Sequence, residues 1–203
     1  GSFEGVLKAN SEIYEWLAQN RKTVFVNEDE PYLKECLPAE GLHKIFYQRA
    51  ETLSMQTPQY QARLESADPF LKISFQDENG DTLTLQTQIV GEYNFANILT
   101  AIAIGKYFKV PAFKIRNAIS SYVPSMNRSQ LLKHTSGATI ILDAYNANPS
   151  SMLSALKSFA KLSQPNKVAI IGDMLEMGEA SAQEHRDMQE FAKSLNFNKL
   201  ILV

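Results

Sequence analysis

The fold is decided by residues 139–152, TIILDAYNANPSSM, together with a second stretch at 167–181, KVAIIGDMLEMGEAS. Each begins as a run of β-branched and aliphatic residues, stops at a polar, turn-prone segment and continues into a helical pattern. This order is typical of a buried parallel strand that delivers its loop to the carboxyl edge of a sheet, where ligands bind in open α/β folds. The polar residues after the first strand are therefore candidates for function: Asp143, Tyr145, Asn146 and Asn148. An ordinary loop would carry similar residues, and the pattern leaves both interpretations open.

Composition sets limits on the class of protein. The chain has 203 residues, of which 44% are hydrophobic and 21% charged, as expected for one large or two small globular domains. A net charge of −2 gives no basic surface for nucleic acid or anionic membrane. The single cysteine, Cys36, excludes an internal disulfide and agrees with a reducing cytoplasm, and no apolar run or signal-peptide pattern indicates a membrane or secreted protein. We therefore expect a cytoplasmic enzyme, or part of one.

The first half of the chain predicts a β-α-β alternation followed by antiparallel strands. The expected elements are a helix over 4–19, a strand over 23–26, a helix over 30–36 with Asp29 as its N-cap, and a strand near 43–47. Alternating runs in residues 57–90 are broken by Asn79-Gly80, a strong hairpin signal. We expect two or three antiparallel strands beside the parallel sheet.

The next segment predicts a helix over 91–110, because apolar residues from Phe95 to Ile102 follow helical spacing. Asn94 and Asn97 lie three residues apart in its first turn and share a different face.

A second helix is expected over 112–121, and Val123-Pro124-Ser125 marks a domain boundary. This boundary divides the chain into residues 1–124 and 125–203. The second part predicts an incomplete Rossmann-like β-β-α-β-α-β unit, with strands near 129–134, 138–143, 167–171 and 199–203 and helices near 149–162 and 181–195.

Several common sites are excluded by spacing. The nine glycines form neither a G-x-G-x-x-G fingerprint nor a phosphate loop. The histidines His43, His134 and His185 are scattered, and one cysteine makes a structural zinc site improbable. A self-contained active site is not visible in the sequence.

The remaining candidates each have a structural alternative. Asn94 and Asn97 could hydrogen-bond an adenine edge or merely cap a helix. Asp143 could accept from ribose hydroxyls or form a loop turn. Tyr145 could stack on a base, a contact worth about 0.5–1.5 kcal/mol, and Arg128 could pair with a polyphosphate or be a solvated linker charge. For His185 and Glu176 the structural interpretation is favoured.

Several segments, in order along essentially the whole chain, resemble the MurF family of peptide ligases. They are GSFEGVLKA at the start, VNEDE at 26–30, GEYNFAN at 91–97, Arg128, LDAYNANPSSM at 142–152, and GDMLEMGEAS followed by His185. The family joins D-alanyl-D-alanine to UDP-N-acetylmuramoyl-tripeptide, using ATP and Mg²⁺ through an acyl phosphate. The resemblance implies an α/β fold made of part of the family's central ATPase domain and a Rossmann-like C-terminal domain. It also implies a fragment that lacks the phosphate loop and cannot turn over alone, and a monomer that binds no nucleic acid.

The resemblance implies a role for each candidate residue. Asn94 and Asn97 would serve adenine, Asp143 ribose, Tyr145 and Asn146 the surroundings of the nucleotide, and Arg128 the phosphates. Closure would swing residues 128–203 about a hinge at 123–127, which would bring Asn97 and Asp143 to one adenosine and trap the acyl phosphate away from water.

Two positions depart from the family's pattern. Asn10 stands where the family usually has a carbamylated lysine that helps to hold magnesium, and Lys8 is turned about 200° away on a helix. Tyr93 stands where the family often has histidine. The alternatives are a different amide ligase of the superfamily, such as a folylpolyglutamate-like synthase, or a non-catalytic Rossmann-like nucleotide-binding module.

Overall fold

The computed structural model describes residues 3–57 and 60–203. Its helices are α1 (Phe3–Gln19), α2 (Pro31–Cys36), α3 (Phe95–Tyr107), α4 (Ala112–Ser121), α5 (Pro149–Lys161) and α6 (Ser181–Ser194). Its strands are β1 (Thr23–Asn27), β2 (His43–Arg49), β3 (Tyr60–Ala67), β4 (Phe70–Gln76), β5 (Thr82–Val90), β6 (Gln130–Lys133), β7 (Thr139–Leu142), β8 (Val168–Ile171) and β9 (Lys199–Leu202). Short 3₁₀ turns cover Glu92–Asn94 and Gly178–Ala180. No helix of the described residues is long and apolar enough to cross a bilayer.

The first five strands form one sheet in the order β1-β2-β3-β4-β5. Strand β2 runs parallel to both β1 and β3. The connections from β3 to β4 and from β4 to β5 hold only two and five residues. Since a parallel crossover needs about a dozen residues, these neighbours are antiparallel. The predicted hairpin at Asn79-Gly80 is confirmed, with the Asp77 N–H donating to the carbonyl of Asp81 over 2.9 Å.

The chain divides into two compact units. Unit 1 holds residues 1–65, 72–85 and 95–120, and unit 2 holds residues 66–71, 86–94 and 121–203. The division at 124/125 that the sequence suggests remains a prediction.

The core of unit 1 is built by strand alternation and by one face of α3. Ile73 and Phe75, two residues apart on β4, are completely buried, as the period of a strand requires for one face. The predicted helical stripe is confirmed, because Phe95, Ile98 and their partners on α3 are buried. Burying a large aliphatic or aromatic side chain contributes about 1.5–3 kcal/mol, so this stripe fixes how α3 lies in its unit.

The core of unit 2 forms between α5, α6 and β8. Leu156, Ala169, Met188 and Ala192 are buried together, and the last two lie four residues apart on one face of α6. Strands β8 and β9 pair in parallel, as the sequence predicted for residues 167–171.

The prediction of a buried parallel strand at residues 139–142 is wrong. Strand β7 pairs antiparallel with β6 in a separate two-stranded sheet, and Ile140 is 41% exposed. The reason is the connection, since five residues join β6 to β7 and Gly137 has a φ of +87° in that turn. So short a reversal cannot make a parallel crossover. The prediction of a buried strand is also wrong for β8, where Ile170 is 67% exposed.

Two helix starts differ from expectation. Asp29 does not cap α2, because its carboxylate accepts instead from the backbone N–H of Arg49 at 2.8 Å, and the N-cap residue is Glu30. Helix α3 begins at Phe95, so Asn94 belongs to the preceding 3₁₀ turn and not to the first turn of the helix.

Candidate functional site

Unit 2 gathers polar side chains where the 3₁₀ turn after β5 meets the ends of β6 and β7. Tyr93 lies in this turn, next to Gly91, which has a φ of +93°. A Cβ atom at Gly91 would overlap the Tyr93 ring, so only glycine fits there with the ring in place. Local backbone geometry therefore aims Tyr93 at the strand ends.

The carboxylate of Asp143 is held through both of its oxygens. The Tyr93 hydroxyl donates to Oδ2 at 2.6 Å, and the backbone N–H of Ser129 donates to Oδ1 at 3.0 Å. A hydrogen bond to an ionised acceptor is shorter and about twice as strong as a neutral one. The structure thus fixes the orientation of a carboxylate that is itself exposed to solvent.

The carboxylate of Asp143 is the end point of a series of side-chain hydrogen bonds that starts at Asn94. Asn94 Nδ2 donates to Ser129 Oγ at 3.0 Å and to the carbonyl of Val90 at 2.8 Å. The Ser129 and Tyr93 hydroxyl oxygens are 2.8 Å apart, and the single phenolic proton is committed to Asp143. Ser129 must therefore donate to the Tyr93 oxygen. The series of donors therefore runs from Asn94 through Ser129 and Tyr93 to Asp143.

Tyr93 is held in its neutral form. Burial raises the pKa of its phenol well above the usual range, and the hydrogen bond to Asp143 raises that pKa further, while Ser129 and Asn94 act in the opposite direction. The neutral phenol is the form that can donate to Asp143, so the shift in pKa and the geometry agree.

A cationic and an aromatic side chain lie side by side near Asp143. The guanidinium carbon of Arg128 is 3.8 Å from the centroid of the Tyr145 ring, close enough for a cation–π contact. The backbone brings them together, because the N–H of Ala144 donates to the carbonyl of Asn127 at 2.8 Å. Both side chains are exposed, so their outer surfaces remain available to a ligand.

The two other asparagines after β7 have local roles. Asn146 is exposed, and its Oδ1 accepts from the backbone N–H of Ala147 at 3.0 Å. Asn148 is the N-cap of α5 and forms a reciprocal capping box with Ser151. The structural interpretation holds for Asn148.

The remaining candidates lie in unit 1. Asn97 is exposed in the first turn of α3. Asn10 and Lys8 are exposed on α1. Among the described residues there is no group of three or more His, Cys, Asp or Glu side chains placed to hold a metal ion.

His185 makes contacts with the backbone, as expected for the structural role that the sequence favours. Its Nε2 accepts from the backbone N–H of Met174 at 2.9 Å, and Nδ1 lies 2.7 Å from the carbonyl of Ser181. Since a carbonyl only accepts, Nδ1 carries the proton and the ring is neutral in this arrangement. His185 therefore ties the loop after β8 to the start of α6.

Sequence reasoning missed two members of the site. Ser129 is 5% exposed with a φ of +48°, and nothing in its local pattern marks it. Tyr93 was noted only as a departure from a family pattern. Both act through partners 14 to 50 positions away in the sequence, and periodicity carries no signal over such separations.

Comparisons with known proteins agree with this architecture. The Mur ligase middle domain matches residues 1–105, and the domain described as "Mur ligase, glutamate ligase domain" matches residues 127–203. A UDP-N-acetylmuramoyl-tripeptide--D-alanyl-D-alanine ligase of Bacillus subtilis is 29% identical over 195 residues, covering 92% of this chain and 39% of the relative. The chain spans about two fifths of the curated relatives that it matches along its length.

Solved structures show the same fold. MurF from Acinetobacter baumannii superposes with a TM-score of 0.79 at 21% identity, over 100% of this chain and 43% of that one. The MurF ligase of Thermotoga maritima in complex with ADP gives a TM-score of 0.65 at 17% identity, over 89% of this chain and 44% of that one. With one family domain matching more than half of its residues and a second matching most of the rest, the chain belongs to the Mur ligase family and carries its middle and glutamate ligase domains.

Proposed function

We propose that this chain is part of an ATP-dependent ligase that adds D-alanyl-D-alanine to UDP-N-acetylmuramoyl-tripeptide in the synthesis of peptidoglycan precursors. The proposal is supported by family membership and by the printed names of the matched relatives. The reaction would take place in the cytoplasm. We propose further that the two domains are residues 1–124 and 125–203, which is supported by the end of α4 at Ser121 and by the family domains that match residues 1–105 and 127–203.

The observation that carries the proposal is the pre-set carboxylate of Asp143 beside the Arg128–Tyr145 pair. An adenosine nucleotide offers ribose hydroxyls, an aromatic base and a chain of phosphates. Asp143 can accept from the hydroxyls, the Tyr145 ring can stack on the base, and Arg128 can pair with a phosphate. These residue types fit the nucleotide, and ATP would be the substrate that phosphorylates the tripeptide carboxylate.

The other proposed contacts rest on the family resemblance alone. Asn97 and Asn94 would serve adenine, although both N–H groups of the Asn94 carboxamide already donate inside unit 2. Asn146 would lie near the nucleotide. Magnesium does not fit the described residues of this chain, because Asn10 is neutral and no cluster of metal ligands is present among them.

Within this chain the chemistry that can be assigned is binding and charge neutralisation. Arg128 would offset negative charge on the transferring phosphoryl group, and that stabilisation is worth most where water is excluded. The acyl phosphate formed on the tripeptide would then be attacked by the amine of D-alanyl-D-alanine.

The test is a ligation assay on the ligase that contains these two domains. With ATP, UDP-N-acetylmuramoyl-tripeptide and D-alanyl-D-alanine, we expect ADP release and a product of matching mass. Single amino acids and glutamate should replace the dipeptide poorly. Efficient ligation of glutamate to a folate would overturn the proposal in favour of a folylpolyglutamate-like synthase. The 203-residue chain alone should give no product.

A further inference from the structure

Asp143 has a defined number of acceptor positions left for a ligand. An ionised carboxylate has about four lone-pair positions, two on each oxygen. The Tyr93 hydroxyl occupies one on Oδ2 and the Ser129 N–H occupies one on Oδ1. One position remains on each oxygen, and the side chain is exposed to solvent.

Two free acceptors on one carboxylate match a vicinal diol, which offers two O–H donors on neighbouring carbons. A ribose has such a pair at its 2′ and 3′ positions, whereas a deoxyribose has only one hydroxyl there. The match requires the carboxylate to be held in one orientation, because a carboxylate that rotates freely would present its oxygens in many directions.

Tyr93 supplies the side-chain contact that prevents this rotation. Its hydroxyl is 2.6 Å from Oδ2, and its own oxygen is held in turn by Ser129 and, through Ser129, by Asn94. The Tyr93 ring lies where a Cβ at position 91 would overlap it, so glycine at that position allows this placement of the ring. The Ser129 N–H holds the other oxygen but cannot by itself fix both.

We propose that Tyr93 is a positioning residue for the sugar of the nucleotide: it holds Asp143 so that one acceptor on each oxygen faces the 2′ and 3′ hydroxyls, and thereby makes the site select ribonucleotides over deoxyribonucleotides. This inference rests on the proposed function, because it assumes that Asp143 meets the sugar. Beyond that function, it assigns a role to Tyr93, which does not touch the ligand, and it makes the preference for ribonucleotides depend on the Tyr93 hydroxyl.

The test is an NMR titration of the 203-residue chain with ATP, 2′-deoxy-ATP and 3′-deoxy-ATP. For the natural chain we expect ATP to bind about tenfold more tightly than either deoxynucleotide, as the loss of a hydrogen bond to a charged group implies. In Tyr93→Phe the affinity for ATP should fall toward that for 2′-deoxy-ATP, so that the ratio drops to about two- or threefold. A merely structural role would weaken all three nucleotides alike.

Control variants separate the possible causes. Tyr122→Phe removes a phenol from an exposed tyrosine of the same unit and should leave the ratio unchanged. Tyr93→His supplies an N–H donor and should restore part of the ratio. Asp143→Asn should abolish it.

The outcomes distinguish this inference from the proposed function. If ATP causes no saturable shifts in the natural chain, this inference falls, whereas the proposed function falls only if the whole ligase forms no product. If the natural chain prefers ATP and folded Tyr93→Phe keeps the full preference, only the role of Tyr93 falls. A measurement without any variant gives an independent check, since the Tyr93 hydroxyl proton should shift on adding ATP and less on adding 2′-deoxy-ATP. Equal shifts of that proton with both would also overturn the inference.

Discussion

The Tyr93 hydroxyl lies 2.6 Å from Oδ2 of Asp143, and this contact joins positions 50 residues apart in the sequence. It connects the turn after β5 with the end of β7 inside unit 2. A tyrosine at this position therefore has a thermodynamic role that can be measured without any ligand.

The Tyr93–Asp143 contact should make stability depend on pH at the alkaline end. The pKa of Tyr93 is raised in the folded chain, first by burial and then by Asp143, relative to about 10 for an exposed tyrosine. Below pH 10 both states keep the proton and the full stabilisation is present. Above pH 10 the unfolded chain loses this proton first, so the free energy of unfolding falls as pH rises.

Comparison with Tyr93→Phe separates the contribution of Tyr93 to this pH dependence from the contributions of the other tyrosines and of the lysines. At pH 8 the variant should be less stable by about 1 kcal/mol, which is the value of an intramolecular hydrogen bond with a partly exposed partner. At pH 11 the difference between the two proteins should shrink. Urea unfolding at both pH values measures it, and a difference that grows with pH would contradict the account.

Arg128→Ala should weaken the binding of ATP without affecting stability. A charge-assisted contact is worth about 1.5–3 kcal/mol, so the dissociation constant should rise roughly tenfold to a hundredfold. Calorimetry or NMR titration of the 203-residue chain measures this change. Arg186→Ala removes an exposed arginine of α6 and should bind ATP as the natural chain does. Equal losses in both variants would indicate a general effect of charge rather than a contact.

His185→Ala should lower stability and leave nucleotide affinity unchanged. The substitution removes the acceptor for the Met174 N–H, and a half-buried donor left without its partner costs about 1–3 kcal/mol. Thermal or urea unfolding measures the loss. His43→Ala is the matched control, because the His43 ring is exposed and its contact with Thr23 is long, at 3.3 Å. A fall in ATP affinity in folded His185→Ala would show that His185 belongs to the site.

Gly41→Ala and Gly137→Ala should differ in cost although both glycines have positive φ, +84° and +87°. A Cβ at Gly41 would lie 2.5 Å from the backbone carbonyl oxygen of Ala18, whereas one at Gly137 would meet nothing within 4 Å. Gly137→Ala should cost about 1 kcal/mol for the backbone conformation alone, and Gly41→Ala at least twice that. Unfolding measurements on the two variants test this, and equal values would contradict the clash.

The sequence predicted elements whose signals are local. The stripe from Phe95 to Ile102 marked α3, and Asn79-Gly80 marked its hairpin, because both follow from spacing within a dozen residues. The topology of β7 was not predictable from its own residues, since TIIL is compatible with a central parallel strand and with half of a hairpin. What decided it was the length of the turn to β6.

The candidate site was predictable in part. Asp143, Tyr145 and Arg128 came from their places at strand ends and from the family resemblance. The hydrogen-bond series through Asn94, Ser129 and Tyr93 was invisible, because a hydroxyl or carboxamide in a sequence does not reveal its partner.

The connector between α4 and β6 has an unusual backbone. The φ angles of Met126, Asn127 and Ser129 all lie between +48° and +58°. Residues other than glycine and asparagine adopt this left-handed backbone conformation at a cost of about 1 kcal/mol or more each. Replacing Met126 by Gly or Asn should therefore relieve backbone strain, whereas Ser129 has to keep the hydroxyl that lies 2.8 Å from the Tyr93 oxygen. Such a replacement would make the connector easier to form but less restricted to one backbone path, so folding stability would rise while the turn that presents Arg128 becomes less well defined.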